Sequence, residues 1–310
     1  MKIQGKFGYG GWENCIFMTN GKVELVVTTD IGPRIIRFGF TGGQNLFREF
    51  KEQLGKTGGD RWRIYGGHRL WHAPEASPRS YFPDNSPVKY EIYKRENKVK
   101  LTQDTEKATG MQKEIEIKLD SEKNNVTIIH RITNRTLWDI EISPWALSVM
   151  NLKGRAIVPQ EPYKSWEEKL TPARPIVLWA YTNMGDPRWV WGKKYIQLKQ
   201  DPNAKTRQKL GILNTTGWAA YYLNGELFIK KYKYDPKAIY TDFGVNTEIY
   251  TDSDILEVET LGEYKKIPPQ GSAEHTESWW LFKAKIDERE ESIDGIVLPL
   301  VKETNETTKL

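Results

Sequence analysis

Residues able to move protons or hold a polar ligand concentrate in two stretches. The first is Tyr65-Gly66-Gly67-His68-Arg69-Leu70-Trp71-His72-Ala73-Pro74-Glu75, which carries two of the chain's four histidines. Imidazole and carboxylate groups shuttle protons near neutral pH. A guanidinium grips anionic oxygens with a fixed fork of N–H donors. The second stretch is Asp254-Ile255-Leu256-Glu257-Val258-Glu259-Thr260-Leu261-Gly262. In a strand, Leu256, Val258 and Thr260 face one side, and Glu257 and Glu259 face the other, about 7 Å apart. One such carboxylate plus a histidine from elsewhere fits proton shuttling on a hydroxyl group. Two carboxylates on one strand do not flank a bond, as glycoside cleavage requires. Bland readings compete at each position: His68 bonding a backbone carbonyl, Trp71 plugging the core, the glutamates on a solvated face. His68, His72 and Glu75 have the spacing of a helical metal site, but Pro74 argues against helix there. No metal and no cofactor is expected.

The elements that must hold these residues read as strands. Gly66-Gly67 permits positive φ or close backbone approach, and Pro74 disfavours helix before it. The first stretch is therefore expected to be a strand end running into a loop that displays His68, Arg69 and His72. The run Ser77 to Pro87, rich in Pro, Ser, Asp and Asn, prolongs that loop. Met111 to Leu119 alternates cleanly, with Ile115, Ile117 and Leu119 on one face. Val126 to Thr133 sets His130 in an apolar row with Val126, Ile128 and Ile132, which makes it a core histidine. Pro144 implies an edge or a bulge. Asn224-Gly225 between two apolar runs is a hairpin signal. Leu46 to Leu54 is expected to form a short helix, and Ile286 to Thr304 to end in one. Many short strands with turn signals between them predict an all-β sandwich. Without a linker or composition shift, residues 1–310 are expected to form one domain.

Composition narrows the function. The chain has 310 residues, 46 basic and 41 acidic, for a net charge of +5. That small excess is spread out, so no nucleic-acid partner is expected. No apolar run is long enough to span a membrane. The single cysteine, Cys15, rules out an intrachain disulfide. With no signal-peptide pattern at the start, the expected location is cytoplasmic. Twelve Trp, fifteen Tyr and ten Phe supply large flat side chains for the core, and some suit the apolar faces of a sugar ring.

Taken in order, several motifs resemble the galactose mutarotase-like superfamily, which includes aldose 1-epimerases, with a bacterial branch as the closer likeness. They are Asp30-Ile31-Gly32-Pro33-Arg34-Ile35, Gly66 to Glu75, Pro83-Asp84-Asn85-Ser86-Pro87, Ser143-Pro144-Trp145-Ala146-Leu147-Ser148-Val149-Met150 and Leu256 to Gly262 followed by Trp279-Trp280. The resemblance implies a large antiparallel β-sandwich (a supersandwich) with few short helices, whose concave face binds a sugar. It implies a late glutamate that takes the anomeric proton and a histidine that protonates the ring oxygen. Glu259 matches that glutamate, with Glu257 as the fallback and a sugar-contacting residue. Arg69 and His68 look like the sugar-binding pair, and Trp71, His72, Asp84, Trp145 and Arg34 fall on the remaining motifs. Family members place an Asn-His pair before a Tyr-Phe-Asn-Leu-like strand. Here that segment reads Ser143 to Leu147 and holds no histidine, so the proton donor falls to His68 or His72. The implied partner is a small sugar or sugar phosphate. Arg34, Arg61, Arg63, Arg69 and Arg79 are candidates for a phosphate grip. A non-catalytic sugar-binding protein and a carbohydrate-active hydrolase or lyase are the alternatives.

Overall fold

The computed structural model describes residues 1–306. The first strands are β1 (Lys2–Tyr9), β2 (Trp12–Thr19), β3 (Val23–Thr28), β4 (Arg34–Phe40), β5 (Gly67–Ala73), β6 (Lys89–Tyr93) and β7 (Lys98–Thr102). Next come β8 (Met111–Leu119), β9 (Asn125–Asn134), β10 (Ile140–Met150), β11 (Arg155–Pro159), β12 (Ile176–Leu178), β13 (Trp189–Trp191) and β14 (Tyr195–Lys199). The last are β15 (Gln208–Ile212), β16 (Trp218–Leu223), β17 (Glu226–Tyr232), β18 (Thr247–Thr251), β19 (Leu256–Leu261), β20 (Lys265–Ile267) and β21 (Ser272–Lys283).

They form two antiparallel sheets. The first runs β1-β2-β3-β4-β5-β10-β19-β18-β15-β12, with β20 beside β10, and the second runs β13-β14-β11-β16-β17-β21-β9-β8-β7-β6. β8 and β9 show why: alternate residues are buried along both, so one face of each packs inward. The sheets share one core, in which Phe38 and Phe47 of the first meet Phe228 and Trp279 of the second. A smaller cluster joins the other face of the second sheet to a C-terminal helical segment over 290–306 through Ile293, Val297 and Val301.

Three local expectations are corrected. Leu46 to Leu54 is not a helix: Phe47 and Glu49 make single bridges to Met150 and Gly66, followed by turns. Pro144 marks neither an edge nor a bulge. It falls where β10 changes partner, between the pairing of Ile140–Ile142 with β20 and that of Trp145–Met150 with β19. The histidine stretch is not a strand end displayed on a loop. Residues 67–73 form a wholly buried central strand between β4 and β10. The glycine pair serves this packing, because a Cβ on Gly67 would sit 2.3 Å from the Ile35 carbonyl oxygen. Among the described residues no helix is long and apolar enough to cross a membrane.

Candidate functional site

Strand parity assigns each side chain of β5 to a face. Arg69 and Trp71 project outward, away from the second sheet, while His68, Leu70 and His72 project inward. Neighbouring strands continue the outward face in register. Arg34, Arg69, Leu147, Glu259 and Glu248 lie side by side across β4, β5, β10, β19 and β18. The next row holds Glu257, Tyr250 and Lys209, and the row on the other side pairs Trp71 with Trp145. Above these rows opens a pocket of about 390 Å³. Its floor is Arg69, Trp71, Trp145, Leu147, Lys209 and Glu257, and loops add Trp62, Tyr81, Trp179, Tyr181 and Arg207.

Charge in this pocket is paired but not exhausted. Arg69 Nη2 lies 2.9 Å from Glu257 Oε1. The Arg69 guanidinium rests 4.6 Å from the Trp71 ring centre. Its Nε and Nη1 are buried and have no hydrogen-bond partner among the described residues, as does Trp62 Nε1. Lys209 Nζ bridges Glu248 Oε2 at 2.8 Å and Glu259 Oε2 at 3.1 Å. It lies 4.7 Å from the ring centres of both Trp145 and Trp179. Trp145 Nε1 donates to Glu259 Oε2 at 2.9 Å, which leaves Glu259 Oε1 unpaired. Three buried carboxyls thus share two cations. Burial holds Glu248 well above the usual carboxyl range, with Lys209 opposing and Glu259 reinforcing. Burial also raises Glu257, against the pull of Arg69. Burial works against the Lys209 ammonium, but Glu248 and Glu259 outweigh it and hold it well above its usual value.

The structure brings some residues of the two stretches together and keeps others apart. Arg69, Trp71, Trp145 and Glu257 line one pocket, and Glu259 lies beneath its floor, fully covered. His68 and His72 do not reach it. Both are inward and fully buried, because an odd step along β5 separates each of them from Arg69 and puts them on the opposite face. His68 Nδ1 meets Ser148 Oγ at 2.9 Å and its Nε2 meets His130 Nε2 at 2.7 Å. Arg34 and Asp84 also lie outside the pocket lining. They form a 2.7 Å ion pair, and Arg34 Nη1 donates to the carbonyls of Ile64 and Gly66. That pair clamps the entry to β5. Of the five arginines considered for a phosphate grip, Arg69 alone lines the pocket.

Sequence reasoning missed Lys209, Glu248, Tyr250, Trp62 and Trp179. The available signal was Lys209 directly before the apolar run Leu210-Gly211-Ile212 in β15.

With this geometry in hand, comparison with known proteins is informative for the fold. No protein-family model matches the sequence, and no curated protein does. Solved structures match along most of the chain. A putative aldose 1-epimerase from Klebsiella pneumoniae aligns with TM-score 0.59 at 12% identity, over 90% of this chain and 82% of that one. A galactose mutarotase-like protein from Clostridium acetobutylicum aligns with TM-score 0.54 at 12% identity, over 91% and 98%. The chain has the galactose mutarotase-like fold. A TPR-domain containing protein from Parabacteroides distasonis aligns with TM-score 0.57 at 14% identity, over 88% of this chain and 48% of that one. This chain therefore spans about half of that protein's length. Within the mutarotase-like fold, likeness at these identities speaks to architecture, and the chemistry has to come from the pocket itself.

Proposed function

We propose that the chain binds a monosaccharide in this pocket and interconverts its anomers by acid–base catalysis. One observation carries the reading: Arg69 and Trp62, each with a side-chain N–H left without a partner, line an aromatic pocket together with the Glu257 carboxylate. A buried polar group without a partner costs about 1–3 kcal/mol. A sugar ring answers both kinds of group at once, because each hydroxyl donates and accepts. The faces of Trp71 and Trp145 suit its apolar C–H surface, and the cavity falls in the usual ligand range of about 300–1,000 Å³. Solved neighbours described as putative aldose 1-epimerases support a sugar-related reading.

In this mechanism Glu257, the carboxylate that lines the pocket, takes the proton from the anomeric hydroxyl. Its raised pKa suits a base working near neutrality. The Lys209 ammonium donates a proton to the ring oxygen as the bond from that oxygen to the anomeric carbon breaks and the aldehyde forms. Glu248, whose burial favours the protonated form, lies 2.8 Å from Lys209 Nζ and restores its proton. Rotation of the aldehyde and reversal of both transfers give the other anomer. Glu259, expected from the family motif to be the base, instead steadies Trp145 and Lys209 from below the floor. His68 and His72 take no step.

Binding without turnover is the second reading. It is favoured by the complete cover over Glu259 and by a pocket lining in which no described histidine appears. Exchange NMR on a panel of free aldoses separates the two. Anomerisation faster than in buffer, reduced about 100-fold or more in Glu257→Gln, supports catalysis. Binding with an unchanged exchange rate favours the second reading, and neither binding nor acceleration overturns both.

A further inference from the structure

The interior of the sandwich holds charges that the pocket chemistry does not use. Lys230 of β17 and Glu277 of β21 are fully buried, with Nζ 3.0 Å from Glu277 Oε1. His68, His130 and His275 surround them. A buried ion pair is a poor way to stabilise a core, since apolar residues of equal volume often do as well or better. Three features show what this pair touches. Lys230 Nζ reaches across to the first sheet and donates to the Val258 carbonyl, the peptide group between Glu257 and Glu259, at 3.0 Å. Glu277 Oε1 accepts from the Thr260 hydroxyl, on the residue after Glu259. Glu277 Oε2 is held by Trp279 Nε1 at 2.7 Å. The strand carrying the pocket carboxylates is thus gripped from behind at positions 258 and 260.

A metal is the obvious competitor. Donor atoms of His68, His130 and Glu277 lie within 4.8 Å of one another, and their types suit zinc. The Lys230 ammonium already supplies the cation at Glu277. One proton between the two imidazoles completes a chain from Ser148 Oγ through His68 and His130 to the His275 carbonyl. Every ring nitrogen of His68 and His130 is then satisfied without a metal.

We propose that the Lys230–Glu277 pair is a positioning device for the ligand pocket, holding the Glu257–Glu259 stretch from the opposite sheet with its positive end toward the strand. This rests on the pocket being the ligand site. Glu257 is faced by Arg69, Lys209 and Glu259 on the pocket side, and Lys230 adds a cation behind the backbone. Removing Lys230 therefore favours the protonated form of Glu257.

The test is a carbon-detected NMR titration of the Glu257 carboxyl without ligand, in the full chain. In Lys230→Met the midpoint rises by about one pH unit or more. In Lys230→Met/Glu277→Gln, which leaves no buried charge unpaired, it rises less but in the same direction. This double variant carries the test where the single one fails to fold. Lys113→Met, which breaks a separate buried pair with Glu106, leaves the midpoint in place. An unmoved Glu257 midpoint in both Lys230 variants overturns the proposal. So does stoichiometric zinc in the purified protein that is lost in His130→Ala. Anomer exchange is scored separately: a wild type that accelerates no aldose while the Glu257 midpoint still shifts defeats the reaction and leaves the positioning role standing.

Discussion

The two faces of the central strands β5, β10 and β19 bury similar residues to opposite effect. His68 and Arg69 are neighbours in sequence, and each is at most 3% exposed. Inward, His68, His130, His275, Lys230, Glu277 and Thr260 bond to one another, and none of their side chains is left with an unpaired buried atom. Outward, Arg69, Trp62, Glu259 and Glu248 all keep buried atoms unpaired. The difference between scaffold and site lies in how completely the polar groups are satisfied, since residue type and burial are alike. His72 is the inward exception, with both ring nitrogens unpaired.

If the inward face is scaffold, disturbing it costs stability. The largest effect comes from acid. Burial, the leading cause for both, lowers His72 to about 2 and His275 to about 3, and it lowers His68 and His130 in the same direction. Groups depressed below an unfolded value of about 6.5 give stability that is whole above that pH. It is lost as pH falls toward the folded values. At pH 5, His72 and His275 each forfeit about 2 kcal/mol, and the other two add to the loss. Glu248 and Glu257 pull the other way, because raised carboxyl values favour folding as pH falls. The urea midpoint is expected to drop clearly between pH 7 and pH 5. A flat midpoint contradicts a neutral buried histidine cluster.

Next in size is Glu277→Ala, which strands Lys230 in the core and costs about 3–5 kcal/mol in urea unfolding. A loss under 1 kcal/mol removes the contrast between the faces. Outward variants should do the reverse. Arg69→Met is expected to weaken sugar binding about 100-fold, as loss of charged hydrogen bonds does, with a smaller change in unfolding than Glu277→Ala. Calorimetry reads the first and urea the second. Smallest is Trp62→Phe. Removing an unpaired indole N–H leaves stability level or slightly higher, while affinity falls about tenfold. Equal loss of stability and affinity would make Trp62 a packing residue.

Much of the fold was legible because half-buried strands alternate. β8 and β9 follow period two, as residues 111–119 and 126–133 predict. The parity of β5 was not legible, because all seven of its residues are buried and no polar–apolar alternation marks the faces. His68 and Arg69 therefore read as one displayed pair although they point apart. Lys209 and Glu248 were invisible for another reason: they meet Glu259 only through the pairing of β15, β18 and β19, and no local motif encodes that juxtaposition. Glu257 and Glu259 were legible as a pair, but which of them meets the pocket depends on the cover that Trp145 and Lys209 place over Glu259.

The most direct measurement follows the indole N–H resonances while monosaccharides are titrated into the protein. The Trp62 N–H, unpaired in the pocket, should shift on binding, together with that of Trp145. The Trp279 N–H, bonded to Glu277 in the interior, should stay still. Movement of Trp279 alone, or no movement of the Trp62 and Trp145 signals with any sugar, would contradict the assignment of the outward face as the ligand site.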